Sequence, residues 1–210
     1  MKGEWKVMRK VKVLSGAEAA MLVQDGKTVI TGGFVGVGCP ETITKAVEKR
    51  FLETGSPKDL TLVYAAGQGN RDGSGADHFG HEGMVKRVVG GHWNMAPNVG
   101  ALALENKIEA YNLPQGVISH MFRDVAAGKI GTLTHVGLNT FVDPRLEGGK
   151  LNSKTTEDLV YVVDILGQER LLYKAFPMDV ALIRGTYADE SGNVCSVKEA
   201  ATLDTTAMAQ

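Results

Sequence analysis

Short apolar, β-branched runs in this chain take turns with segments of helical period, and glycine stands at most of the changeovers. Thr28-Val-Ile-Thr31 passes into the glycine run 32–38, Leu60-Thr-Leu-Val-Tyr64 is followed by Gly67 and Gly69, and Val88-Val89 ends at Gly90-Gly91. Between them, Thr42 to Thr54 places Ile43, Ala46, Val47 and Leu52 close to helical spacing, and Met95 to Asn106 also reads as a helix. Strands that alternate with helices build βαβ units, whose strands lie parallel in one sheet. The unbroken apolar character of 60–64 suits a parallel strand covered on both faces.

The alternation continues with a strand at Ile108 to Asn112 and a helix at Gln115 to Ala127, where Val117, Met121 and Val125 recur at i, i+4 and i+8. After Gly131 the texture changes. Segments 132–136, 160–165, 170–175 and 179–184 are short and β-rich, and turn pairs such as Asp143-Pro144 and Gly148-Gly149 separate them. The expected fold is therefore α/β: a mostly parallel open sheet flanked by helices, with a β-rich insertion that returns to the main sheet at Asp179–Arg184. Near the start, Ser15-Gly-Ala-Glu18 has the form of a capping box, and its helix should run to the turn at Asp25-Gly26.

Composition narrows the function classes. The chain of 210 residues has a net charge of −1, which argues against a nucleic-acid footprint, since that needs Lys and Arg clustered over one face. The one basic run, Lys6 to Lys12, reads as a solvated arm or an edge strand. Cys39 and Cys195 are too few and too far apart for a disulfide framework or a zinc site, so free thiols in a reducing cytoplasm are expected. The N-terminal segment lacks the apolar core of a secretory signal, and no apolar run approaches the roughly 18–20 residues needed to span a bilayer.

Ligands of open α/β sheets sit beyond the carboxyl ends of the strands, which is where the 32–38 run falls. Its spacing, Gly33-x-x-Gly36-x-Gly38, is neither the dinucleotide fingerprint nor a P-loop. Such a run either turns backbone N–H groups toward a ligand at the head of the helix beyond Pro40 or only makes tight turns. Two further strand ends carry amides: Gln68-Gly69-Asn70, and Gln115 in Asn112-Leu-Pro-Gln-Gly116. Gln115 would stand in the first turn of a helix, where its carboxamide either donates to an oxyanion or braces its own helix. Glu41 and Glu82 read as solvated or helix-N-terminal acids. The five histidines, His78, His81, His92, His120 and His135, show no metal-ligand spacing, and His92 beside Trp93 reads as structural.

Several of these blocks together resemble a known family. Gly33-Phe-Val-Gly-Val-Gly-Cys-Pro40 is similar to the GGFxxxGxP signature of family I CoA-transferases, and 112–116 resembles their PQG segment. Stretches 63–83, 90–93, 134–145, 148–152 and 181–193 look like the propionate/acetate branch, in order from about Val11 to Gln210. The resemblance implies exchange of CoA between short-chain acyl-CoA and carboxylic acids in a cytoplasmic, oligomeric enzyme, with CoA as substrate and no permanently bound cofactor. It also implies a ping-pong route through a glutamyl-CoA thioester, a case of nucleophilic catalysis by a carboxylate. It places Gln115 at the oxyanion and Gly33, Phe34, Gly36, Gly38 and Pro40 at the substrate cleft, with Gln68, Gly69 and Asn70 beside them. The family's nucleophilic glutamate belongs to a second, C-terminal domain, and no matching motif occurs here. The expectation is thus one N-terminal CoA-transferase domain over 1–210, incomplete at its C-terminus, whose catalytic half or partner chain supplies the glutamate. The alternative is a non-catalytic ligand-binding or interaction module derived from such a domain.

Overall fold

The β-branched run Thr28–Thr31 forms strand β1, and the apolar run Leu60–Tyr64 forms β2 beside it, in parallel register Thr28 to Thr61 and Ile30 to Val63. β3 (Val85–Gly90) and β4 (Glu109–Asn112) extend the sheet on the β2 side, again parallel. The computed structural model describes residues 10–199 and 204–209, so residues 6–9 of the basic run fall outside it. Lys10–Lys12 are exposed and belong to no strand.

Right-handed crossovers need helices on the faces of such a sheet, and the helical segments supply them. α1 (Gly16–Ala20), α2 (Glu41–Thr54) and α3 (Pro97–Leu104) precede and separate β1 to β4, and α4 (Gln115–Ala126) follows β4. α1 carries the expected capping box between Ser15 and Glu18 but stops earlier than the sequence suggests. The Arg50 guanidinium of α2 donates to the carbonyls of Ala20 and Val23 at 2.8 and 2.7 Å, so the chain leaves helical geometry to present them. α3 is likewise shorter than 95–106, because Pro97 starts it and Asn106 adopts a left-handed φ of 56°.

The strands divide their side chains between two cores. Leu60, Leu62, Tyr64 and Val88 pack with Val47 of α2 and Val99 of α3. Val63, Val89 and Tyr111 point the other way, onto Val117, Ile118 and Met121 of α4. All five residues of β2 are buried, as its uninterrupted apolar run requires.

The β-rich region is a separate antiparallel sheet, ordered β5 (Gly131–Thr134), β7 (Gln168–Lys174), β6 (Val160–Ile165), and it covers the α4 face. The chain then returns as β8 (Val180–Leu182), parallel to β1 on its free side, so the main sheet runs β4-β3-β2-β1-β8. A short hairpin, β9 (Tyr187–Ala188) with β10 (Val194–Cys195), and the turn of helix α5 (Thr205–Met208) follow. No helix among the described residues is long and apolar enough to cross a membrane.

Asp179 marks the return to the sheet. Its carboxylate accepts from the Thr28 N–H at 2.9 Å and from Lys27 Nζ at 3.0 Å, pinning the start of β8 to the start of β1. The Thr28 backbone bond and then Lys27 hold its carboxyl below the usual carboxylate range. A group held down in this way stabilises the fold fully above its unfolded pKa of about 3.9 and loses that contribution as pH falls through the lower folded value. Asp179→Asn should therefore cost about 1 kcal/mol at pH 7 and flatten the acid limb of the stability curve below about pH 4. Urea melts of both proteins across pH 2–7 check this; equal stability at pH 7 would remove Asp179 from the β8 junction.

Candidate functional site

Four chain segments meet at the carboxyl edge of the main sheet: the exit of β1, the exit of β2, the exit of β3, and the short link from β4 into α4. The first two are joined by backbone. Val35 N–H donates to Gly67 O and Gly69 N–H donates to Val35 O, both at 2.7 Å. Beneath this bridge lies Gln68, 1% exposed, whose amide nitrogen donates to Thr31 O at 2.6 Å while its oxygen accepts from the Thr31 hydroxyl at 3.3 Å. The Asn70 side chain lies directly against Gly36.

The other segments close in on the same edge. A Cβ at Gly91 would sit 2.1 Å from Ala65 O and 3.1 Å from the Gln115 Cα. That distance admits no side chain, so the exits of β2 and β3 and the first residue of α4 converge only because residue 91 is glycine.

The structure thus brings Gly33, Phe34, Gly36, Gly38 and Pro40 together with Gln68, Gly69 and Asn70 as one continuous rim. Phe34 and Val37 exchange backbone hydrogen bonds of 2.8 and 2.9 Å, turning the loop so that the Phe34 ring is 47% exposed. Asn70 and Gln115 are exposed, whereas Gln68 spends its amide inside the fold as a brace. Gln115 opens α4, and among the described residues its carboxamide has no hydrogen-bond partner. The cap of α4 is Pro114, which makes no side-chain bond.

Two helices of full length start at this rim, α2 at Glu41 and α4 at Gln115. Helix N-termini present N–H groups and positive potential to anions. A cavity of about 460 Å³ lies between the ends of β1 and β8, lined by Cys39, Pro40, Thr42, Ile183 and Arg184. The crevice lies beyond the carboxyl ends of both strands, where open α/β sheets hold their ligands. A second cavity, of about 540 Å³, runs along α4 from Pro114 past His120, with β5 as its far wall. Among the described residues no group of His, Cys, Asp or Glu is arranged to hold a metal ion.

Of the two readings of Glu41, solvated or helix-N-terminal, the structure shows the second, in the first turn of α2. Burial would push its carboxyl up, but hydrogen bonds from His78 and the Gly75 N–H outweigh this and hold it below the usual range. One oxygen accepts from Gly75 N–H at 2.6 Å and the other faces His78 Nε2 at 2.9 Å. Glu82, by contrast, is a largely exposed partner of Lys107, at 2.6 Å. The His78–Glu41 contact joins residues 37 positions apart, and no local spacing signals it. Burial pushes the Cys39 thiol up, and the neighbouring Glu41 adds to this. A protonated thiol is a poor nucleophile.

The family profile described as Coenzyme A transferase matches residues 13–210. The caffeate CoA-transferase of Acetobacterium woodii is 43% identical over 199 residues, covering 95% of this chain and 38% of that protein. The crystal structure of the acyl-CoA transferase YdiF of Escherichia coli O157:H7, in a thioester complex with CoA, superposes with a TM-score of 0.93 at 38% identity, covering 95% of this chain and 39% of that one. The acetate CoA-transferase subunit alpha of Escherichia coli K12 is 29% identical over 185 residues, covering 88% of this chain and 74% of the subunit. The chain therefore spans about two fifths of the length of the first two proteins.

Cys39 is 2% exposed beneath the glycine loop, and Cys195 is exposed. A chromogenic disulfide reagent should therefore titrate one thiol at once and the second only when guanidinium opens the chain. Prompt reaction of both would show that the loop does not close over Cys39.

Proposed function

Because the chain belongs to the coenzyme A transferase family, we propose that it forms the oxyanion side of the active site of a short-chain acyl-CoA:carboxylate CoA-transferase. The observation that carries this reading is the unpartnered Gln115 amide at the head of α4, set on a rim shared with the 32–38 loop and the head of α2. Preorganised donors aimed at developing negative charge are the main electrostatic device of acyl transfer.

In the proposed reaction a glutamate carboxylate attacks the thioester carbonyl and CoA leaves as thiolate, giving a mixed anhydride. The thiolate then attacks the glutamyl carbonyl and releases the first acid, leaving a glutamyl-CoA thioester. A second carboxylic acid reverses both steps. Each attack puts negative charge on a carbonyl oxygen, and in this reading the Gln115 N–H donates to it. No metal or nucleotide is required, because one thioester is exchanged for another of similar energy.

The glutamate is supplied by sequence outside this chain, from a C-terminal half or from a partner chain. Glu41, the acid beside the loop, has both oxygens engaged, which supports that assignment. So does the likeness to an enzyme subunit named alpha. The assembled enzyme works on acetate, propionate or similar acids in the cytoplasm as an oligomer.

Two measurements test the reading. The pure chain, given propionyl-CoA and acetate, should form no acetyl-CoA and no borohydride-trappable thioester; turnover of roughly 1 s⁻¹ or more would place a nucleophile within these residues. In the assembled enzyme, Gln115→Ala should lower kcat by about 100- to 1,000-fold with a much smaller change in KM. A normal kcat with a lowered melting temperature would reduce Gln115 to a structural residue.

A further inference from the structure

The turn Gly75–Phe79 packs against α2 through charge as well as apolar surface. Glu41 and Glu48 stand two helical turns apart and so share one face of α2. His78, 5% exposed, lies between them, with Nε2 2.9 Å from Glu41 and Nδ1 2.6 Å from Glu48. The second Glu48 oxygen faces His81 Nε2 at 2.7 Å, and Lys45 Nζ stands 3.6 Å from Glu41. Asp77, next in the chain, turns away and accepts from the N–H groups of Asn98 and Val99 at the head of α3. A neutral imidazole has a single N–H. Two carboxylate partners are both satisfied only when each ring nitrogen of His78 carries a proton.

This cluster connects to the rim by an unbroken series of contacts. Glu41 accepts the Gly75 N–H, and Gly75 abuts Gly69 so closely that a Cβ there would lie 2.6 Å from the Gly69 nitrogen. The Asn70 N–H donates to Ser74 Oγ at 3.2 Å, and the Gly69 N–H donates to Val35 O. The chain then runs from Val35 through Cys39 and Pro40 back to Glu41. The loop closes on itself.

The geometry points to His78 as a positioning residue: held as an imidazolium between Glu41 and Glu48, it clamps the 67–79 segment to α2 and thereby sets how Asn70 seats against the 32–38 loop. What the rim receives rests on the transferase reading above. The clamp itself does not, so its test uses no substrate. His78 touches neither the rim surface nor Gln115, and it acts through Glu41 and Gly75. Preorganised sites depend on such supporting contacts, because loops left loose by an ångström lose their aim.

The test is nitrogen-resolved NMR on the 210-residue chain. Long-range ¹H–¹⁵N spectra at neutral pH should show both ring nitrogens of His78 protonated, and a neutral tautomer would overturn the proposal. Amide exchange gives the second readout. In His78→Gln, the Val35 and Gly69 amides should exchange about tenfold or more faster, as expected on loss of a charge-assisted bond, while Leu62 and Val88 in the central strands stay within about twofold. Unchanged rates at Val35 and Gly69, or an equal acceleration at Leu62 and Val88, would make His78 an ordinary core residue. Should His78→Gln fail to fold, Glu48→Gln keeps the shape and removes one charge. It should show the same loop-selective pattern to a smaller degree, and a uniform or absent change would again overturn the clamp.

Discussion

β1 is the strand on which the other elements depend. It has β2 on one side and β8 on the other, and both its faces are covered, by α1 and α2 on one and by α5 and the antiparallel sheet on the other. A strand so enclosed has only its ends free, and backbone leaving its carboxyl end enters the crevice beyond the strand ends. The glycine run, the buried Cys39 and the head of α2 all follow within a few residues. Their placement is a consequence of the sheet order more than of any property of the loop.

Asp77 and His78 give a second, smaller junction. One turn of 3-10 helix donates its two polar side chains in opposite directions, to the head of α3 and to the flank of α2. These two helices cover the same face of the sheet, and the turn locks them at a fixed separation. Burying charge at such a point is costly unless every partner is present. Here His78 meets two carboxylates, and each carboxylate has a further partner in Gly75 or His81. The polar contacts define where the turn sits; Ala76 and Phe79, both fully buried, hold it down.

Much of this was legible from residues alone, and the division has a physical basis. Features set by neighbours in sequence came through: the Ser15–Glu18 capping box, the apolar run of β2, Gln115 in the first turn of α4, and the return at Asp179. Features set by distant partners did not. α1 ends early because Arg50, 30 residues on, takes its last carbonyls. The amide of Gln68 donates to Thr31, 37 positions away, a partner that its place after a strand does not announce. Glu41 was legible as a helix-N-terminal acid, but its tie to His78 was not, since nothing in the spacing of His78 and His81 announces two carboxylates one helix away. The convergence of four loops at the rim lies between these cases. Gly91 is visible in the sequence, but its need to admit Gln115 and Ala65 is visible only in three dimensions.

The contact between Asp179 and Thr28 has a consequence for the order of assembly. It joins residues 151 positions apart, and β8 cannot pair with β1 until the entire antiparallel excursion has been made. During synthesis the free side of β1 therefore waits, at about 5–20 residues per second, for the better part of ten seconds or more. Until then Val29 and Ile30 sit on a sheet edge open to other chains, the kind of edge that templates mispairing. Long-range parallel pairing is also slow in its own right, because loop-closure entropy is met before any contact rewards it. The short, early-completed units, β1-α2-β2 and β2-β3, can form first and hold the edge in register. The vulnerable species of this chain is then an intermediate with four strands made and the fifth still to come.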